Sequence, residues 1–174
     1  MAKRLTTAHL LRISKGDATS LNQFRLGIHI ATLSGSTIDQ LIENAAKDRF
    51  QFAQKLVRIA TRILDGKKPE HRVALGKTYY GMYHAARAVV YFIERGDDHE
   101  AHAELPKHLP KDFPDRDEWE NKLKIARLER NRADYDPYPK SDGAFAPTAH
   151  STTATAKQFL IAAKRYLTRK GCAV

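Results

Sequence analysis

Only one cysteine is present, Cys172, so no disulfide can form within the chain. With 9 glycines and 7 prolines, the chain lacks the turn-rich composition of an all-β or low-complexity protein. No apolar run reaches the roughly 18 residues of a spanning helix. The first ten residues, Met1 to Leu10, lack the apolar stretch of a secretory signal. A cytoplasmic protein without membrane contact is the expectation. Acidic residues are in deficit: 20 Asp and Glu face 30 Lys and Arg, a formal charge of +10 and an isoelectric point near 9.8. Such a balance draws polyanions and raises encounter rates with them, and nucleic acid is the first partner to test.

What remains is helical. A chain of 174 residues that is 42% hydrophobic can bury one ordinary core. Residues 1–35 read as a basic arm, with Lys3, Arg4, Arg12, Lys15 and Arg25 against Asp17, and with one short helix or strand. Residues 36–174 read as the folded body. Ser36 or Thr37 can cap a helix that runs to about Leu64. Its apolar stripe reads Ile38, Leu41, Ala45, Phe52, Leu56, Ile59 and Ile63. Pro69 suits the first turn of a second helix, with Leu75, Tyr79, Met82, Ala86, Val89 and Ile93 on one side and Gly96 at its end. A His- and Pro-rich loop spans 97–114. A third helix from near Asp115 shows Trp119, Leu123 and Ala126, and Pro137 and Pro139 close it. Pro147 opens a fourth, striped by Ala156, Phe159, Ala163 and Tyr166 and ended by Gly171. Four such helices with no strand pattern predict an all-α up-down bundle, its first two helices antiparallel.

Few residues carry a chemical signal. The tripeptide Gly76-Lys77-Thr78 ends like a phosphate-binding loop, but His71 stands where the upstream glycine belongs. His99, His102 and His108 crowd the loop, yet no His-Glu-x-x-His pattern or cysteine pair accompanies them; no metal and no cofactor is expected. A solvated loop, with His102 pinning it to the bundle, is the reading. Tyr80, His84, Arg87 and Tyr91 recur at helical steps and share a face. Such a face can stack on bases and pair with phosphates, or it can be an aromatic helix–helix contact. At about 100° per residue Arg130 falls on the stripe of Trp119, Leu123 and Ala126. Arg49 falls on the first helix's stripe in the same way. Two inward arginines fit an anion site; an ion pair of Arg130 with Asp134 is the competing account.

The segment Tyr79-Tyr-Gly-Met-Tyr-His-Ala-Ala-Arg87, a His-containing loop, and then Arg130-Asn-Arg-Ala-Asp-Tyr135 resemble the HEPN domain over residues 36–169. That resemblance implies a four- to five-helix bundle that works as a homodimer, with a polar cleft where two copies of the third-helix motif meet. Many members are metal-independent ribonucleases of toxin–antitoxin or defence systems; others bind nucleotides or act as inactive partners. The family's catalytic signature, Arg-x4-6-His, begins here with Arg130-Asn131, but Tyr135 stands where the histidine belongs. Tyrosine, with a pKa near 10, is a poor base at neutral pH. The resemblance therefore implies an RNA- or nucleotide-binding homodimer, paired with a neighbour-encoded antitoxin or nucleotidyltransferase. The alternative is an endoribonuclease using Arg130 and Asn131 with Tyr135 or His84. The expected binding residues, from these shared faces and from the motif together, are Arg49, Tyr80, Arg87, Arg132, Asp134 and Tyr138.

Overall fold

The computed structural model describes residues 6–97 and 99–174, which fall into two compact units, 1–41 and 42–174. Lys3 and Arg4 of the basic arm lie outside the described residues, as does Asp98 of the His-rich loop.

The first unit differs from the expected arm, because it holds two helices rather than one short element. Helix α1 (Thr7–Ser14) starts on a capping box between Thr6 and His9. Helix α2 (Ala18–Ser34) starts where Asp17 accepts the Ser20 amide at 2.9 Å and ends on Gly35, whose φ of 63° is left-handed. Neither helix contains a buried residue. The scattered apolar residues follow from that: with no single side to bury, α2 shows no clean stripe. The division falls at Leu41, six residues beyond the boundary expected from composition.

Helix α3 (Ile38–Leu64) begins on Thr37, which exchanges bonds with Gln40: the Gln40 amide reaches the Thr37 hydroxyl, and the Thr37 amide reaches Gln40 Oε1 at 2.8 Å. Its buried positions are Ala46, Phe50, Ala53, Leu56, Val57, Ala60 and Leu64. This corrects the expected stripe: Ile38 and Phe52 are exposed, and the buried line is rotated toward alanines. Those alanines permit close approach. A Cβ on Gly81 of helix α4 (His71–Glu94) would stand 2.5 Å from a Val57 methyl and 3.2 Å from the Ala53 carbonyl oxygen.

Pro69 is not in the first turn of α4. The helix starts two residues later, and its end is capped from far along the chain. The Asp142 carboxylate accepts the amides of His71 and Arg72 at 2.8 and 3.0 Å. Sequence cannot show a cap that arrives from 70 residues away. At the other end Arg95, at φ 59°, and Gly96, at φ 141°, turn the chain out. A short 3₁₀ turn (Leu105–His108) sits inside the His-rich loop. Helix α5 (Arg116–Tyr135) and helix α6 (Ala146–Arg169) complete the body, and α6 has proline in its first turn as expected.

Contacts fix the directions. Val57 meets Gly81, Phe52 meets His84 and Arg49 meets Tyr91, so α3 and α4 run antiparallel. Tyr80 meets Arg130 and Arg72 meets Ala133, so α5 opposes α4 as well. His71 lies near His150 and Thr78 bonds Thr153, so α6 runs with α4. The body is an up-down helical bundle with α4 at its centre, buried on most sides. No helix among the described residues is long and apolar enough to cross a membrane.

Candidate anion-binding site

Helix α4 presents Tyr79, Tyr80 and Tyr83 toward the C-terminal half of α5 and toward the loop that follows α4. Tyr79 and Tyr83 are buried, and Tyr80 is half-buried. His102 lies over them: its Nδ1 is 2.6 Å from the Tyr79 hydroxyl, and its ring stacks on Tyr83 with centroids 4.2 Å apart. The Tyr83 hydroxyl donates to the Glu100 carbonyl oxygen. Two hydrogen bonds and a stacked ring thus pin this loop to α4, the role expected of His102.

Arg130 approaches from α5 on the same stripe as Trp119, Leu123 and Ala126. Its Nε lies 2.6 Å from Asp134 Oδ2, although the N–H does not point along that line; the contact is an ion pair rather than an aligned hydrogen bond. One terminal nitrogen donates to the Tyr80 hydroxyl at 2.9 Å and the other to Asn131 Oδ1 at 3.1 Å. The rings of Tyr80 and Tyr135 flank the guanidinium at 5.2 and 5.4 Å. Burial pulls the Arg130 pKa down, but the Asp134 carboxylate, Tyr80 and a Tyr135 hydrogen bond raise it on balance. Arg130 is therefore a fixed cation, ion-paired with Asp134 on its own helix.

Arg127 sits one turn earlier on α5. Its Nε is buried and has no hydrogen-bond partner among the described residues. Its charge and that of Arg130 both act on Tyr79 and on His102. Arg87 joins them from α4, 5.5 Å from the Tyr83 ring and 3.6 Å from the exposed Glu100 carboxylate. Burial lowers the His102 pKa, and Arg130, Arg127 and Arg87 lower it further. The imidazole is then neutral at pH 7. Burial pushes the Tyr79 hydroxyl pKa well above its usual range, with Arg127 pulling the other way, so Tyr79 keeps its proton. Three guanidinium groups around a neutral imidazole and three tyrosines make a cationic, aromatic-lined site suited to a phosphate and a base.

Of the residues expected in the site, Arg130, Asn131, Asp134, Tyr80 and Tyr135 come together, with Arg87 near them through Tyr83 and His102. The others are placed elsewhere. Arg49 packs over Tyr91, at 4.2 Å. Tyr91 is eleven residues along α4 from Tyr80, about 16 Å by helix rise. The two inward arginines thus serve different ends of the bundle. His84 turns to α3, edge-on to Phe52 at 4.8 Å. The face of Tyr80, His84, Arg87 and Tyr91 is thus divided among three neighbours rather than offered as one surface. Arg132 lies near Phe145, 5.6 Å from its ring, and Tyr138 stays on the exposed turn beside Lys140. Arg127, His102, Tyr79 and Tyr83 were not read as site residues. The spacing of Arg127 and Arg130 by three was the available signal, since it puts both on one side of α5.

Comparison with family models, with curated proteins and with solved structures returns no match to this chain. Functional assignment therefore rests on the geometry.

Proposed function

We propose that this chain is a HEPN-like RNA- or nucleotide-binding module, acting as a homodimer in a toxin–antitoxin or defence setting. A neighbour-encoded antitoxin or nucleotidyltransferase is its expected partner. The observation that carries the reading is Arg127: a half-buried arginine whose Nε has no acceptor among the described residues, beside two further arginines and a neutral histidine. A buried donor without a partner costs about 1–3 kcal/mol; a phosphate would be met by the outer nitrogens of the same guanidinium, since the Nε itself is enclosed. The tyrosines offer stacking surface, which suits a nucleotide better than a bare anion. Arg130 positions Tyr80 and Asn131 and adds its field; it does not need the ligand for its own pairing.

Dimerisation is proposed through α5 and the turn after it, residues 127–138. Ile125, Leu128 and Tyr135 are 57%, 59% and 71% exposed on α5, an apolar line with no cover in a single chain.

One observation favours a second reading, a metal-independent endoribonuclease. His102 stands in the field of Arg130 although position 135 is tyrosine. A neutral imidazole beside a phosphate held by Arg127 can move a proton at neutral pH. His102, rather than His84 or Tyr135, is then the residue to test.

The deciding experiment measures binding and cleavage of a short single-stranded RNA by the wild type, Arg127→Ala and His102→Ala. Binding lost in Arg127→Ala, with no cleavage by the wild type, supports the module. Cleavage by the wild type that disappears in His102→Ala supports the nuclease. Unchanged binding in Arg127→Ala overturns both.

A further inference from the structure

A second cluster lies at the far end of the same loop. Glu94, in the last turn of α4, faces two imidazoles with its two oxygens. Oε2 is 2.8 Å from His99 Nε2, and Oε1 is 3.9 Å from His108 Nδ1. The two rings lie face to face, with centroids 3.3 Å apart and planes 12° from parallel. One atom from each of the three side chains falls within 4.8 Å of the others. Asp97 is adjacent. Its Oδ1 accepts the His99 amide at 3.0 Å, and its Oδ2 is 3.9 Å from the same Nε2.

We propose that Glu94, His99 and His108 bind a divalent transition metal, with Zn²⁺ as the natural occupant and Asp97 within reach as a fourth ligand. Zn²⁺ takes His nitrogen at about 2.0–2.1 Å and carboxylate oxygen at about 2.0–2.2 Å, so ligand atoms of a tetrahedral site stand roughly 3.4 Å apart. The widest separation in the cluster must close by up to about 1.4 Å, while the 2.8 Å Glu94–His99 contact must open slightly. The rings must also turn out of their stack so that their lone pairs converge, and both histidines belong to a loop whose side chains are largely at the surface. Two imidazoles and a carboxylate choose Zn²⁺, Co²⁺ or Ni²⁺ over Mg²⁺ and Ca²⁺, which prefer all-oxygen sites.

The consequence is positional. Glu100 and His102 lie between His99 and His108. A metal here clamps both ends of the segment that delivers Glu100 to Arg87 and His102 to Tyr79. The three ligands alone carry the proposal, and it does not depend on what the arginine cluster binds.

Co²⁺ titration of the untagged, chelator-treated full chain is the test, followed in the visible d–d bands of a low-symmetry site. The expected result is a saturable spectrum at a single equivalent, bleached by Zn²⁺ and untouched by excess Mg²⁺. It should be lost in His99→Ala and in His108→Ala and kept in His29→Ala and His150→Ala. Should a loop variant fail to fold by circular dichroism, Glu94→Gln decides, because it is nearly isosteric. At least tenfold weaker Co²⁺ binding supports the site, and unchanged binding overturns it. A wild type that gives no saturable band, or a folded His99→Ala that keeps the full band, also overturns it.

Discussion

Arg127 and Arg130 are three residues apart on α5 and face the same tyrosines, yet their environments differ. Arg130 has Asp134, Tyr80 and Asn131; the buried Nε of Arg127 has no partner among the described residues. The two alanine variants should therefore separate stability from binding. Arg130→Ala removes one side of a partly buried pair. It should cost about 2 kcal/mol, between the ~1 kcal/mol of an exposed pair and the roughly 3–5 kcal/mol of a buried one. Arg127→Ala should cost less than Arg130→Ala in the same melt and should lose anion binding. His102 supplies a pH test. Its folded pKa is depressed by burial and by three arginines, so a bound phosphate, by offsetting those charges, raises it. By linkage, phosphate or RNA affinity should rise as pH falls below the ordinary histidine value near 6.5, toward the depressed pKa of the free site. Affinity that is flat over that range, or that falls with acid, would place the ligand away from His102. Arg130, Asn131, Asp134 and Tyr135 were legible in sequence because they are local to one helix. His102 was not, because it reaches Arg130's neighbourhood across a loop whose path no periodicity describes.

The elements were legible where the apolar stripe carried large residues. The lines Leu75 to Val89 on α4, Trp119 to Ala126 on α5 and Ala156 to Tyr166 on α6 are buried as read. On α3 the larger side chains misled, since Phe52 is exposed and the close contact is made by Ala53, Val57 and Gly81. Substituting Gly81→Ala tests this. Alanine gains about 1 kcal/mol of helix propensity, but overpacking against Val57 and the Ala53 carbonyl should cost about 1–3 kcal/mol. The expected outcome is a net loss of stability in a denaturant melt, and a more stable variant would contradict the packing. The cap on α4 is a separate test. Burial raises the Asp142 pKa, but the amides of Arg72 and His71 and the His71 ring bring it below the usual carboxylate value. A depressed folded pKa stabilises above the unfolded pKa, and that stability is lost as pH falls through the folded pKa. Asp142→Ala should cost about 1–2 kcal/mol at pH 7, as loss of a helix cap does, and the difference from wild type should shrink below about pH 4. An equal difference at both pH values would mean that the carboxylate charge is not what caps α4.

At the scale of the molecule, charge is the property most plainly written in sequence, and the structure shows where part of it is concentrated. A formal charge of +10 alone favours contact with any polyanion. The arginine cluster between α4, α5 and the following loop makes a local claim instead. Assembly is a separate prediction. A dimer through the exposed line of Ile125, Leu128 and Tyr135 should weaken on Leu128→Glu, read as a shift toward monomer in light scattering at micromolar concentration. A wild type that is monomeric there would remove the homodimer from the account. The account's central claim is that Arg127 holds a phosphate. The most direct measurement is the affinity of the wild type and a folded Arg127→Ala for one short single-stranded RNA across a series of salt concentrations. Counterion release makes log affinity fall linearly with log salt, by about 0.7 per phosphate neutralised on a single strand. The account predicts weaker binding by Arg127→Ala at every salt and a slope shallower by about that amount. Two parallel lines of equal affinity would contradict it, since the RNA would then be held by the general basic surface and not by this site.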